Sequence, residues 1–145
     1  MKGAHLVAAI LTRADLSEAD LTGADLTEAD ANGADLTEAD LTGAYLSSAN
    51  LVRANLNGAE LVGVDLRWAD LRWANLRGVN LREANLDGVN LTGALLNEAD
   101  IRGADLRGVD LAGVDLSETI GLSEALIHRA EPSTKDHSAA PDNQG

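Results

Sequence analysis

A five-residue period runs through most of this chain and constrains its fold more than any other feature. Residues 14–46 read ADLSE ADLTG ADLTE ADANG ADLTE ADLTG AYL, with nothing inserted between words. A central slot recurs every fifth residue from Leu6 to Leu116, which is (116 − 6)/5 + 1 = 23 slots, and only Ala31 and Ile101 in it are not Leu. The slot two residues earlier, from Ala4 to Val114, is Ala or Val in every word.

A period of five fits neither common element. At about 100° per residue, five residues advance about 500° around a helix, so successive Leu would spiral and leave no single apolar face. On a flat strand an odd period sends alternate Leu to opposite faces. The period becomes useful if every word turns the chain by the same corner. Leu and the Ala or Val two residues before it then point inward together. One word buries nothing, and stacked coils bury a continuous core, as in a solenoid.

The word A(D/N)LXX in tandem over residues 4–118 resembles the pentapeptide-repeat proteins. The resemblance implies an all-β fold, a right-handed quadrilateral β-helix with four words per coil and one word per side. At four per coil, 23 words make about 5.75 coils and a rod roughly 28 Å long.

Within the word, the slot before Leu is Asp or Asn in 18 of 23 repeats, the exceptions being His5, Ile10, Tyr45, Glu60 and Leu95. Asp and Asn accept hydrogen bonds from nearby amides and stabilise turns. The last slot is Gly in eleven words and Glu in six, which argues that the corner does not demand a positive φ everywhere. After Glu118 the word is expected to fail at Thr119-Ile120-Gly121. Leu122, Ala125, Leu126 and Ala130 then fall at helical spacing, so a short capping helix is expected over 122–130, with Gly121 or Ser123 as its start. Residues 131–145, polar and containing Pro, are expected to be a disordered tail.

Composition narrows the function classes. The 145 residues contain no Cys, so disulfides and thiolate metal sites are excluded. No apolar run approaches the about 18 residues that span a bilayer. The start, MKGAHLVAAIL, faintly resembles a signal peptide, but the repeat register already runs through Ala4, Leu6, Ala9 and Leu11, so a cytoplasmic protein is expected. The three His are His5, His128 and His137, and carboxylates occupy repeated slots, whereas an active site is a singular place. The expectation is a non-enzymatic protein without cofactor or metal. Stacked carboxylates such as Asp15 with Asp35 and Asp20 with Asp40 read as solvated, partly protonated ladders rather than a cation site.

Residues 4–118 carry 20 acids and 8 Arg, a net charge of 8 − 20 = −12, or about one charge per 2.3 Å of rod against about one per 1.7 Å of duplex DNA. Direct nucleic-acid binding is disfavoured on that surface. The charge is uneven. Residues 14–52 hold nine acids and no base, whereas Arg67, Arg72, Arg77 and Arg82 occupy the same slot of four successive words. Four words per coil would make them a girdle, with Trp68 and Trp73 beside it, Arg53 one coil below Trp73 and placed to stack on it, and Asp87 one coil above Arg67 as its answering acid.

The leading expectation is an interaction or scaffold protein with an unidentified protein partner. Tyr45, Arg53, Arg67, Trp68, Arg72 and Trp73 are the candidate contact residues, because a specific partner must read something that is not repeated along the rod. The pentapeptide-repeat resemblance brings an alternative, a DNA mimic that binds a type II topoisomerase, DNA gyrase. Against it, the chain has no loop inserted between words and only a short C-terminal element. In the first coil, His5, Val7 and Ile10 replace polar residues beside unpaired backbone, so this edge is a candidate for association, with a homodimer as its outcome.

Overall fold

The computed structural model describes residues 1–125. Parallel bridges link residues of the Asp/Asn slot to those twenty residues on, as in His5 to Asp25, Asp25 to Tyr45 and Tyr45 to Asp65, with Asn90 and Asp110 the one pair not bridged between residues 5 and 120. Twenty residues are four words, so the chain is a β-solenoid of four-sided coils. Coil 1 spans 4–23, coil 2 spans 24–43, coil 3 spans 44–63, coil 4 spans 64–83, coil 5 spans 84–103 and coil 6 begins at 104. The first word of each coil forms its first side, and the remaining words form the second, third and fourth sides in order.

One word shows how five residues are satisfied. In Ala34 to Glu38, the Ala34 amide closes the preceding turn on the Ala31 carbonyl at 3.0 Å. Asp35 donates to Ala14 in the coil below at 2.9 Å, and Leu36 and Glu38 donate to Asn55 and Asn57 in the coil above at 2.7 and 3.0 Å. The fifth amide, of Thr37, donates to Asp35 Oδ1 at 3.0 Å. The Asp/Asn slot therefore supplies the acceptor that the backbone lacks, since a buried or half-buried amide without a partner is costly. Asn50 does the same for Val52 and Asn55 for Asn57, at 3.1 and 3.2 Å.

The corner overturns one expectation from the sequence. The last slot has positive φ in every word, whether it holds Gly, as at Gly23 (64°), or Glu, Arg or Trp, as at Glu38 (54°), Arg53 (58°) and Trp73 (57°). With positive φ confined to that residue and the next amide bonded back to Leu, each corner is a type II turn. A side chain there costs about 1–2 kcal/mol in local strain. The inter-coil ladder and the Leu core on either side hold the residue in place regardless, so Glu in this slot carried no information about φ.

The core is a stack of Leu and Ala or Val from Leu21 to Leu106, each at most 3% exposed, and Ala31 fills its Leu slot with 2% exposure. Leu6, Leu11, Leu16, Leu111 and Leu116 are only half-buried, because coils 1 and 6 have a neighbour on one side alone. The register also extends past its expected ends. Met1 to Gly3 already form a corner with the Ala4 amide on Met1, and Ile120 still pairs with Asp100. Thr119 fits the Ala slot by donating its hydroxyl to the Leu96 carbonyl at 3.1 Å. The expected failure of the word at Thr119 is therefore a change of residues, not of backbone. Beyond it, Glu124 and Ala125 donate to Gly121 at 3.0 Å in a single turn. The rest of the expected helix over 122–130, and the tail over 131–145, lie outside the described residues.

Candidate partner-binding surface

The four-sided coil sorts the side chains that the sequence presents in a line. Tyr45 stands on the first side of coil 3 and is 54% exposed. Arg67 and Trp68 close the first side of coil 4, and Arg72 and Trp73 close its second side. Arg53 occupies the corner directly below Trp73. Trp68 and Trp73 are 65% and 52% exposed.

Their exposure does not leave them loose. The Trp68 ring lies against Gly88 one coil above, so close that a Cβ there would stand 2.3 Å from its Cε3. Trp73 lies against Gly93 in the same way, 2.4 Å from Cδ1 to the place a Cβ would take. Glycine twenty residues after each Trp is the sequence signal for this seating, and sequence reasoning passed over it. Trp73 also carries two cations. The guanidinium carbons of Arg53 and Arg72 sit 5.7 and 5.5 Å from its ring centroid. Such contacts contribute about 0.5–1 kcal/mol at exposed sites and restrict the ring further.

The arginines divide into two groups. Arg67 is held by Asp65 of its own word, with Nε to Oδ1 at 2.9 Å and Nη2 to Oδ2 at 2.7 Å. Arg72 makes the same bidentate pair with Asp70. Arg102 pairs with Asp100, and Arg107 with Asp105. This corrects the expectation that Asp87 answers Arg67: the hydrogen-bonded partner is two residues away, and Asp87 adds only the weakest of the charge effects on Arg67. The guanidinium hydrogen bond holds the Asp65 and Asp70 carboxyls below their ordinary range. These pairs are half-exposed and contribute little to stability. Arg77 and Arg82 follow Asn75 and Asn80 instead. Those asparagines accept the same amides, at 3.3 Å, but cannot neutralise the cation.

Asp15 and Asp20, the lower members of the two expected ladders, also differ from expectation. Asp15, Asp20 and Asp25 are held below the usual carboxylate pKa, chiefly by hydrogen bonds from Ser17, Thr22 and Thr27, so they are fully ionised near neutrality rather than partly protonated. Among the described residues, no group of three or more His, Asp or Glu is arranged to hold a metal ion. In coil 1, His5 pairs with Asp25, while Val7 and Ile10 are 55% and 84% exposed beside half-buried Leu6 and Leu11. No helix among the described residues is long and apolar enough to cross a membrane.

Comparison with known proteins places this architecture. The family model described as pentapeptide repeats matches residues 1–38, 39–78 and 74–113. Among solved structures, the chain is similar to a pentapeptide repeat protein, Rfr23, from the cyanobacterium Cyanothece 51142, with 40% identity and a TM-score of 0.62 over 64% of this chain. That match spans 63% of the Rfr23 chain, less than two thirds of its length. A pentapeptide repeat protein from the Arabidopsis thaliana thylakoid lumen aligns at 35% identity and a TM-score of 0.49, over 68% of this chain and 69% of its own. HetL, a pentapeptide repeat protein involved in heterocyst differentiation regulation in Nostoc sp. strain PCC 7120, aligns at 32% identity and a TM-score of 0.44, over 85% and 76%. No curated protein sequence matches the chain.

Proposed function

The chain belongs to the pentapeptide-repeat family, and on that footing we propose that it is a non-enzymatic interaction or scaffold protein, cytoplasmic, that binds a protein partner through the first and second sides of coils 3 and 4. One observation carries the reading: Trp68 and Trp73 are the chain's only two Trp, more than half exposed, and yet seated on glycine backbone. Rigid exposed aromatics lose little entropy on binding, and with Arg they dominate the energetics of protein interfaces. Tyr45, Arg53, Arg67 and Arg72 frame them. Most other outer slots hold Asp, Asn, Ser, Thr, Gly or Glu, which repeat along the rod.

The test is retention of a partner from source lysate by the immobilised protein, compared with the Trp68→Ala, Trp73→Ala double variant. Both residues point outward, so the variant keeps the melting behaviour of the parent and loses the partner. A partner held equally by both proteins refutes the assignment.

The DNA-mimic alternative has an observation of its own. The third and fourth sides of coils 1 to 3 present Asp15, Glu18, Asp20, Asp35, Glu38, Asp40 and Glu60 and no base. That reading requires inhibition of gyrase supercoiling at micromolar protein that weakens with salt and with removal of these acids. Arg77 and Arg82 interrupt the acidic face in coil 4, where a phosphate-binding surface would reject them. The expected outcome is no inhibition, and salt-sensitive inhibition by the parent would reverse the ranking.

A further inference from the structure

The sides opposite the aromatic surface carry a charge arrangement that repeated slots do not explain. From coil 3 down to coil 1 they bear the seven carboxylates named above without a base, and Lys2 and the N-terminus lie beneath them, near Asp20. Directly above, in coil 4, they bear Arg77 and Arg82, the two girdle arginines whose own words hold Asn where Arg67 and Arg72 have Asp. The Arg77 side chain hydrogen-bonds only Asn97 Oδ1, at 3.5 Å, and adds a weak charge effect on Asp115. Asp100, one coil above Arg82, is hydrogen-bonded to Arg102, and Arg82 adds only the weakest of the charge effects on it. The corner shared by the third and fourth sides holds Gly58, with the Glu38 side chain beside it, and Gly78, with open space around it, so a second surface can approach the backbone closely at Gly78.

A partner for this face must be acidic where coil 4 is basic and tolerate the acids below it. The protein itself meets both conditions. We propose that two copies pair side by side and antiparallel, about a two-fold axis beside coil 3. Arg77 and Arg82 of each copy then face Asp35, Glu38 and Asp40 of the other. An axis of this kind brings each charge pattern against its own inverse, which is what an isologous contact requires. At physiological ionic strength, charges beyond about 8 Å are screened, so the arginine–carboxylate contacts outweigh the net charge of −13 on each chain. Glu60 near the axis and Glu98 opposite Glu18 work against the contact. Glu60 is partly answered by Asn80, which donates to it at 2.8 Å. The result is a weak, transient dimer.

Sedimentation of the full chain across the micromolar to millimolar range in 0.1 M salt tests this. The expected result is a monomer–dimer equilibrium that weakens in 0.5 M salt. Arg77→Glu with Arg82→Glu, and separately Glu38→Arg, should each weaken dimerisation by at least about tenfold. Arginine is compatible with the corner conformation at 38, since Arg13 and Arg53 adopt it at φ 58°. An equimolar mixture of the two variants, with circular dichroism confirming that both are folded, should recover the dimer as a heterodimer. A monomer at every concentration overturns the proposal. So does a dimer that survives both sets of charge reversals, or one abolished instead by Val7→Lys with Ile10→Lys, which would place the contact at the first coil.

Discussion

Leu56 sits at the centre of the rod, 1% exposed, with Leu36 below and Leu76 above it on the third side. Leu56→Ala removes three carbons from that stack. At about 0.8 kcal/mol per buried carbon, the transfer loss is about 2.4 kcal/mol. The coil spacing is set by backbone hydrogen bonds at 2.7 to 3.0 Å on both sides, so the walls cannot close on the gap, and a cavity contribution brings the total to about 3–4 kcal/mol. A middle coil couples two halves that touch only through it, so the loss is felt by the whole rod. For a chain of this size it corresponds to a fall of about 10 °C in Tm. Thermal and urea melts followed by circular dichroism measure it, with Glu38→Ala on the outer corner as a control that shifts Tm by about 1 °C. A Leu56→Ala protein that melts within about 2 °C of the parent would refute the inward assignment of Leu and the rigidity of the stack.

Leu56→Asp places an unpaired charge in the same core and is expected to unfold the middle of the rod, read as loss of a cooperative melt. Gly43→Ala, with open space around the new methyl, should cost only the backbone strain of about 1 kcal/mol, whereas Gly88→Ala must also displace the Trp68 ring; a shift in Trp emission in the second variant but not the first checks the seating. Asp15, Asp20 and Asp25 have pKa values lowered by folding, so their contribution is present above the unfolded value of about 3.9 and is lost as pH falls through the lower folded values. Tm should therefore be flat from pH 8 to about 5 and decline below about 4, and Asp15→Asn with Asp20→Asn, which keep the acceptor oxygen, should soften the decline. A Tm unchanged down to pH 2.5 would rule out this linkage.

The solenoid and its inward Leu were legible in the sequence because each word must solve the same problem, and repetition averages out local ambiguity. The Asp/Asn slot was legible as a turn stabiliser for the same reason, although the structure was needed to show that it caps the single amide the ladder leaves free. The corner was misread at Glu38 and Trp73 because residue preference for φ is weak against a ladder that holds both flanks. Arg67 was assigned to Asp87 by coil geometry, while a guanidinium in the slot after Leu curls back to the carboxylate before it, a short-range choice that spacing along the rod does not reveal. The sequence by itself determined the period, the core and the positions at which the pattern breaks. Only the tertiary structure decided that Gly88 and Gly93 seat the two Trp, that Arg72 joins Arg53 on Trp73, and that Arg77 and Arg82 lack the bidentate carboxylate that Arg67 and Arg72 have. Those outcomes depend on which side chains meet across adjacent coils, and residues twenty apart become neighbours only when the coil closes.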